Sequence, residues 1–321
     1  MNEKLDFSWL LRPFHVTDFF QNYLERKPLV IRRGDTRYFQ DILTLDDIDF
    51  IVSRMHALGS YDVRMAAADK VIFEKQYASM SRVQNVEVKS HLNTAKVLEL
   101  FTKHGATIII EQISNVWPSI ARLSDAVNES MSCSSGANIY ISPAESQGFE
   151  AHYDTHDVFI LQVHGSKRWK IYENPVYLPL GSQPSIPYSG EQAVPSVELD
   201  LQAGDLIYMP RGFVHEAMTN QEISAHITLG IYGTTWTRLI LDSITKLAGQ
   251  REVFRSGFFA DGYKGNVDKE EILNAIRQEI NQALTLENIS LLSNKYRPNK
   301  NGSLSFKTIA GQHPVAVESS K

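Results

Sequence analysis

Between residues 136 and 232 apolar and polar positions alternate in short bursts separated by Gly, Pro, Asn and Ser. ANIYIS, FEAHYDTH, DVFILQV, KRWKIY, SVELDL, DLIYMP, HEAMT and SAHITLGIY each read as a strand. Strands that follow one another at this spacing, with no helical periodicity between them, predict a β-sandwich or barrel.

The pattern is different on either side. TDFFQNYLERKP has helical spacing, with Thr17 as its expected cap and Pro28 just past its end. KPLVIRRG reads as a strand closed by Gly34. LDDIDFIVSRMHAL sets Ile48, Ile51, Val52 and Met55 on one helical face. NTAKVLELFTKHG is a helix capped by Asn93 or Thr94 and stopped by Gly105. It leads into the β-branched run ATIIIEQI and then into a further helix opened by the proline of VWPSIARL. After Tyr232, TWTRLILDSITKLAG spaces Ile240, Ile244 and Leu247 as a helix does, and Asp268 with Glu271 forms a capping box before Ile272, Ile276 and Ile280. The polar stretch from Lys295 onward is expected to be loosely ordered. The division expected is therefore a catalytic domain over 1–232 with its barrel at about 136–232, a helical region over 233–292, and a tail over 293–321.

Composition narrows the class. The 321 residues are 43% hydrophobic and 21% charged, which is enough to build a sizeable core. A net charge of −5 speaks against general binding to nucleic acid. No apolar run approaches the roughly 18 residues of a membrane span, and MNEKLDFSWLLRPF makes a poor signal peptide. Cys133 is the single cysteine, so no intrachain disulfide can form and a cytoplasmic location is expected.

The segment EAHYDTHDVFILQVHGSKRWKIY concentrates three histidines and three acidic residues where buried strands normally avoid them. Side chains two apart on a strand share a face, so His152 and Asp154 point the same way. An imidazole and a carboxylate need one more donor to complete a 2-His-1-carboxylate site with open positions for non-haem iron. A His-x-Asp triplet alone arises by chance about once in a chain like this. The downstream GDLIYMPRGFVHEAMTN strengthens it, because its Gly, then Pro-x-Gly, then His spacing resembles the second metal motif of cupin barrels and brings in His215. His156 has the same parity as His152 and Asp154, so spacing alone admits it as a ligand. It is equally readable as a group behind or beside the metal site, or as a plain structural histidine. His164, before Gly165, is expected at an exposed hairpin turn.

NIYISPAESQGFEAHYDTHDVFILQVHGSKRWKIY, GDLIYMPRGFVHEA and the upstream FFQNYLERKPLVIRRG together resemble the JmjC hydroxylases of the cupin-like ribosomal oxygenase group, over roughly residues 15–290. The resemblance implies a mainly β fold with α: a double-stranded β-helix (jelly-roll) core with N-terminal α/β elements and a C-terminal helical region. It implies Fe(II) held by His152, Asp154 and His215, with 2-oxoglutarate and O2 as cosubstrates. Lys167, thirteen residues after Asp154, matches the family's anchor for the distal carboxylate. Asn138, Tyr140 and Thr228 match positions that line the cosubstrate pocket. The helices after residue 233 match a dimerisation region, which implies a homodimer. The tail is too short for the winged-helix domain of the longer members, so the motifs alone do not decide whether their ribosomal substrates carry over.

The reading reached from the sequence is a 2-oxoglutarate-dependent dioxygenase that hydroxylates an amino-acid side chain in a protein or peptide, with a ribosomal protein or a biosynthetic precursor peptide as candidate targets. Lysine demethylation and oxidation of a small metabolite stand as alternatives, and a non-catalytic cupin binding module as a more distant one.

Overall fold

In the computed structural model, residues 5–54, 62–183, 185, 194–257 and 268–296 are described. The helices are α1 (Phe7–Leu11), α2 (Val16–Asn22), α3 (Leu45–Arg54), α4 (Thr94–His104), α5 (Pro118–Met131), α6 (Trp236–Gln250), α7 (Lys269–Ala283) and α8 (Leu286–Ser293). The strands are β1 (Leu29–Ile31), β2 (Asp62–Ala66), β3 (Ala78–Val83), β4 (Val86–Leu92), β5 (Thr107–Glu111), β6 (Ser134–Ser142), β7 (Asp157–His164), β8 (Ser166–Ile171), β9 (Val197–Gln202), β10 (Leu206–Met209), β11 (His215–Thr219) and β12 (Ser224–Tyr232).

Two antiparallel sheets face each other, in the order β1-β10-β7-β12-β6-β5-β2 and β11-β8-β9, the sandwich that the strand spacing predicts and the jelly-roll class that the family resemblance implies. The pleat of the large sheet sorts its residues. Ala137, Ile139 and Ile141 of β6 and Ala225, Ile227, Leu229 and Ile231 of β12 are buried against Leu10, Leu11, Phe19, Ile120 and Leu123 of the flanking helices. Asn138, Tyr140, His226 and Thr228 therefore emerge on the opposite face, toward the small sheet. Between the sheets, Val158, Ile160, Ile207 and Met209 of β7 and β10 pack on Trp169, Ile171, Leu199 and Leu201 of β8 and β9. This hydrocarbon closes one part of the barrel interior. The remainder is the cavity described below.

The helices fall where expected, with corrections at their ends: α2 stops at Asn22, short of Pro28, and of the expected Asp268–Glu271 capping box the bond from the Asp268 side is the one present. Asn93 caps α4 by accepting the Lys96 amide N–H, and Gly105 ends it in the left-handed conformation. Pro118 occupies the first turn of α5, and the Asp268 carboxylate accepts the amides of Glu270 and Glu271. Thr17 is not a cap: α2 starts one residue earlier, with His15 at the N-cap and no side-chain bond there. Ile48 and Ile51 are buried on α3, while Met55 lies outside the described residues. On α6 the buried stripe is Leu239, Ser243 and Leu247, flanked by half-buried Ile240 and Ile244. The tail beyond residue 296 also lies outside the described residues. Among the described residues no helix is long and apolar enough to cross a membrane.

Candidate metal centre

FEAHYDTH is not a strand. His152 makes an isolated bridge with His215, its N–H donating to the His215 carbonyl at 3.1 Å and its carbonyl accepting the His215 N–H at 2.8 Å. The Tyr153 N–H goes instead to the Ser185 hydroxyl, so no ladder continues along the segment. The backbone is nevertheless extended enough to keep the alternation of a strand. Tyr153 turns to a small cluster with Tyr172 and Val214, and His152 and Asp154 share the other side.

His215 reaches the same point from the turn between β10 and β11. Gly212 has φ +92°, and a Cβ there would lie 2.3 Å from the Val176 carbonyl oxygen, so only glycine fits. One ligand atom each from His152, Asp154 and His215 lies within 4.8 Å of the others. The two imidazoles stand 4.7 Å apart between ring centres, and His215 Nε2 is 3.8 Å from Asp154 Oδ2. Each ring donates its Nδ1–H to a backbone carbonyl, that of Glu150 at 2.8 Å and that of Phe213 at 3.0 Å. A carbonyl can only accept, so these bonds fix the proton on Nδ1 and leave both Nε2 lone pairs for a metal. Burial first, and His152 next, lower the His215 pKa, which keeps the ring neutral.

The triad borders a cavity of about 280 Å³. Lys167, Trp169, His226, Thr228, Tyr140 and Thr107 form much of its wall. Lys167 sits on β8 with the inward parity of Trp169 and Ile171, and it is only 4% exposed rather than a solvated edge lysine. Its Nζ donates to the Ser142 hydroxyl at 3.0 Å, which is itself 2.8 Å from the Thr107 hydroxyl. No carboxylate of the described residues forms a salt bridge to it, and desolvation pulls its pKa down to about 8. His226 lies stacked on Tyr140, with centroids 4.9 Å apart and planes 3° from parallel. Burial, then the charge of Lys167, holds it neutral. Burial raises the Tyr140 hydroxyl to about 12, opposed by a hydrogen bond with Asn138. Asn138 does not itself line the cavity: it supports Tyr140, and its Oδ1 accepts the Gln112 N–H at 3.0 Å.

His156 is not part of the triad and stacks on Tyr232 at 4.8 Å. His164 is exposed at the β7–β8 hairpin, where Gly165 takes φ +61°. Sequence reasoning did not single out Trp169, Thr107, Arg64 or Phe149 as site residues. Strand parity with Lys167 pointed to Trp169. Arg64 and Thr107 come from segments far away in the chain and carried no local signal, and Phe149, three residues before His152, has the opposite strand parity to it.

The donor set suits ferrous iron: two imidazole nitrogens and one carboxylate on one side, with the cavity on the other. The buried ammonium suits an anion. An uncompensated charge costs several kcal/mol to hold out of water, on the order of the penalty for one buried ion, and a ligand carboxylate in the cavity would offset that cost.

Residues 110–239 match the JmjC domain family. The chain is 31% identical over 261 residues to ribosomal oxygenase 2 of Mus musculus, covering 78% of this chain and 53% of that protein. It is 30% identical over 233 residues to the bifunctional lysine-specific demethylase and histidyl-hydroxylase NO66 of Aedes aegypti, covering 70% of this chain and 34% of that protein. The chain thus spans about half the length of the first relative and a third of the second. Among solved structures, the Escherichia coli ribosomal oxygenase YcfD in complex with cobalt and 2-oxoglutarate superposes with a TM-score of 0.52 at 17% identity, covering 86% of this chain and 68% of that one. At that identity the likeness establishes the fold.

Proposed function

This chain belongs to the JmjC-domain family, and from that premise we propose that it is an Fe(II)- and 2-oxoglutarate-dependent dioxygenase that hydroxylates an amino-acid side chain of a protein or peptide. One observation carries the reading. Two imidazoles and a carboxylate converge within 4.8 Å on the edge of a cavity whose wall also holds a buried, anion-seeking lysine.

In this reading His152, Asp154 and His215 hold the iron, and Lys167 receives the distal carboxylate of 2-oxoglutarate. When bound, the metal and cosubstrate supply the oxidising chemistry that inserts one atom of O2 into a C–H bond, with succinate and carbon dioxide as co-products. The protein's own side chains orient and insulate. The Nδ1–H bonds to Glu150 and Phe213 keep both rings aimed at the metal. The Ser142 and Thr107 hydroxyls lie beside Lys167 as further partners for a carboxylate. Tyr140, protonated below a pKa of about 12, and Thr228 offer neutral donors along the same wall, with Asn138 steadying the phenol. With His226 neutral and Arg64, the other cation on the wall, paired with Glu111 at 3.0 Å, Lys167 is among the described residues the buried cation without a carboxylate partner, so a dicarboxylate has one defined polarity in the cavity.

The names of the relatives support a protein substrate; they include both a histidyl-hydroxylase and a lysine-specific demethylase activity, so demethylation stands as the second reading. The domain reading keeps 1–232 as the catalytic unit and assigns the helices of 233–292 to a homodimer contact. Exposed Trp236, Leu241, Leu286 and Leu291 on α6 and α8 favour such a contact. The absence of any second cysteine beside buried Cys133 favours a cytoplasmic location. The test is to incubate the purified chain with ferrous iron, ascorbate, 2-oxoglutarate and a tryptic or synthetic peptide library. Succinate release with a peptide gaining the mass of one oxygen supports hydroxylation. Loss of a methyl group would move the assignment to demethylation, and absence of turnover throughout would overturn it.

A further inference from the structure

We propose that Asp157, three residues beyond the metal-binding carboxylate, is a positioning residue that locks the two ligand-bearing segments to each other; the inference rests on the metal reading above. Segments 152–157 and 210–215 run side by side and are fastened at three points. At one end is the double bond of the His152–His215 bridge. In the middle the Gly212 N–H donates to the Asp154 carbonyl at 3.0 Å. At the far end the fastening is a side chain. The Asp157 Oδ1 accepts the Arg211 N–H at 3.0 Å and lies 3.3 Å from the Arg211 guanidinium. The first two contacts come from backbone that any residue supplies, whereas the third exists only with an acceptor at position 157.

The surroundings indicate a carboxylate held in place. Asp157 is 4% exposed, and its Oδ2 accepts the hydroxyl of fully buried Tyr208 at 2.8 Å. That hydroxyl in turn accepts the Glu25 N–H at 2.9 Å. The Glu25 carboxylate pairs with Arg211 at 2.5 Å, so an N-terminal residue buttresses the same turn from outside. Asp157 thus reaches both ligand segments directly: Asp154 along its own chain and His215 through the 211–214 turn. A group of this kind sets how closely the ligands approach, and loss of such partners typically weakens metal binding about 10- to 100-fold. Tyr208 provides the control, since its hydroxyl bonds the same carboxylate and the Glu25 N–H, and no main-chain group of either ligand segment.

The test uses the full chain and cobalt(II) as probe, with affinity read calorimetrically, ligand geometry from the visible d–d bands, and metal-free melting temperature recorded alongside. Asp157→Asn keeps an acceptor for the Arg211 N–H but loses the charge. It is expected to weaken cobalt binding about tenfold and to alter the d–d bands, with Asp157→Ala weakening it further, toward 100-fold. Tyr208→Phe is expected to lower the melting temperature and leave cobalt affinity within about threefold, the effect of a support without a metal-directed role. Should the Asp157 variants not fold, Arg211→Gln loosens the same carboxylate and is expected to weaken cobalt binding by about threefold or more. Cobalt affinity and spectra unchanged in Asp157→Asn, or in Arg211→Gln where that variant stands in, overturn the inference alone. Cobalt binding unaffected by His215→Ala overturns the metal reading and this inference with it.

Discussion

The two faces of the large sheet are made by the same strands and could hardly differ more. On β6 and β12, Ala137, Ile139, Ile141, Ala225, Ile227 and Leu229 pack into hydrocarbon against the N-terminal helices. One residue along in each case, Tyr140, Ser142, His226 and Thr228 point the other way, toward Lys167 and the metal ligands, with Asn138 on the same face behind Tyr140. The first face removes apolar surface from water and stabilises the fold by roughly 25 cal/mol per Å² buried. The second holds an ammonium and an imidazole out of water with little compensation, and it costs stability. The contrast shows where this chain carries strain for the sake of a ligand: a period-2 strand lets one face support what the other cannot support alone.

Substitutions on opposite faces should therefore fail in opposite ways. The largest effect is expected from Ile139→Ala, which opens a cavity on the dry face. Chemical denaturation should show a loss of about 3 kcal/mol, with 2-oxoglutarate affinity of the folded protein unchanged. A matching loss of affinity would mean that the faces are not independent. Lys167→Met is expected to do the reverse. Calorimetry should show 2-oxoglutarate binding weakened about 100-fold, the cost of leaving a carboxylate without its buried partner, while the metal-free protein melts higher because the desolvated charge is gone. A variant that binds normally would remove Lys167 from the anchor role.

A smaller effect is expected from pH alone. The folded pKa of Lys167 lies near 8 against an ordinary 10.5, so the folded protein releases this proton before the unfolded chain does. Between those values the unfolded chain binds more protons, and the contribution of Lys167 to stability rises with pH. Anion binding needs the protonated form and runs the other way. From pH 7 to pH 9 the affinity for 2-oxoglutarate should fall about tenfold, since one pH unit above the pKa leaves about a tenth of the lysine charged. Lys167→Arg, always charged, should flatten that profile.

Much of this contrast was legible as alternation. ANIYIS and SAHITLGIY announce which residues face the cavity, and KRWKIY places Lys167 on the side of Trp169. The same signal misled at FEAHYDTH, because alternation reports an extended backbone and not whether its N–H groups join a ladder. There the Tyr153 N–H is taken by Ser185, and the segment is a loop of strand-like parity. Thr17 misled for a local reason: a hydroxyl at the head of a helical pattern suggests a cap, yet the helix begins at Val16. Arg64 and Thr107 were invisible because the sheet order, and no short-range pattern, brings β2 and β5 to the cavity, whereas Phe149 sits beside the motif but at the opposite strand parity to His152. Asp157 reads as the first residue of a strand, and only the fold places it against Arg211.

The central claim is that the triad and the lysine serve one chelated ligand. Anaerobic titration of the ferrous protein with 2-oxoglutarate tests it most directly, through the visible charge-transfer band that arises when the keto acid joins the iron. The account predicts a saturable band in the unaltered protein, none in Asp154→Ala, and one that needs far more 2-oxoglutarate in Lys167→Met. A ferrous protein that develops no band at any 2-oxoglutarate concentration, or a band indifferent to both substitutions, would contradict it.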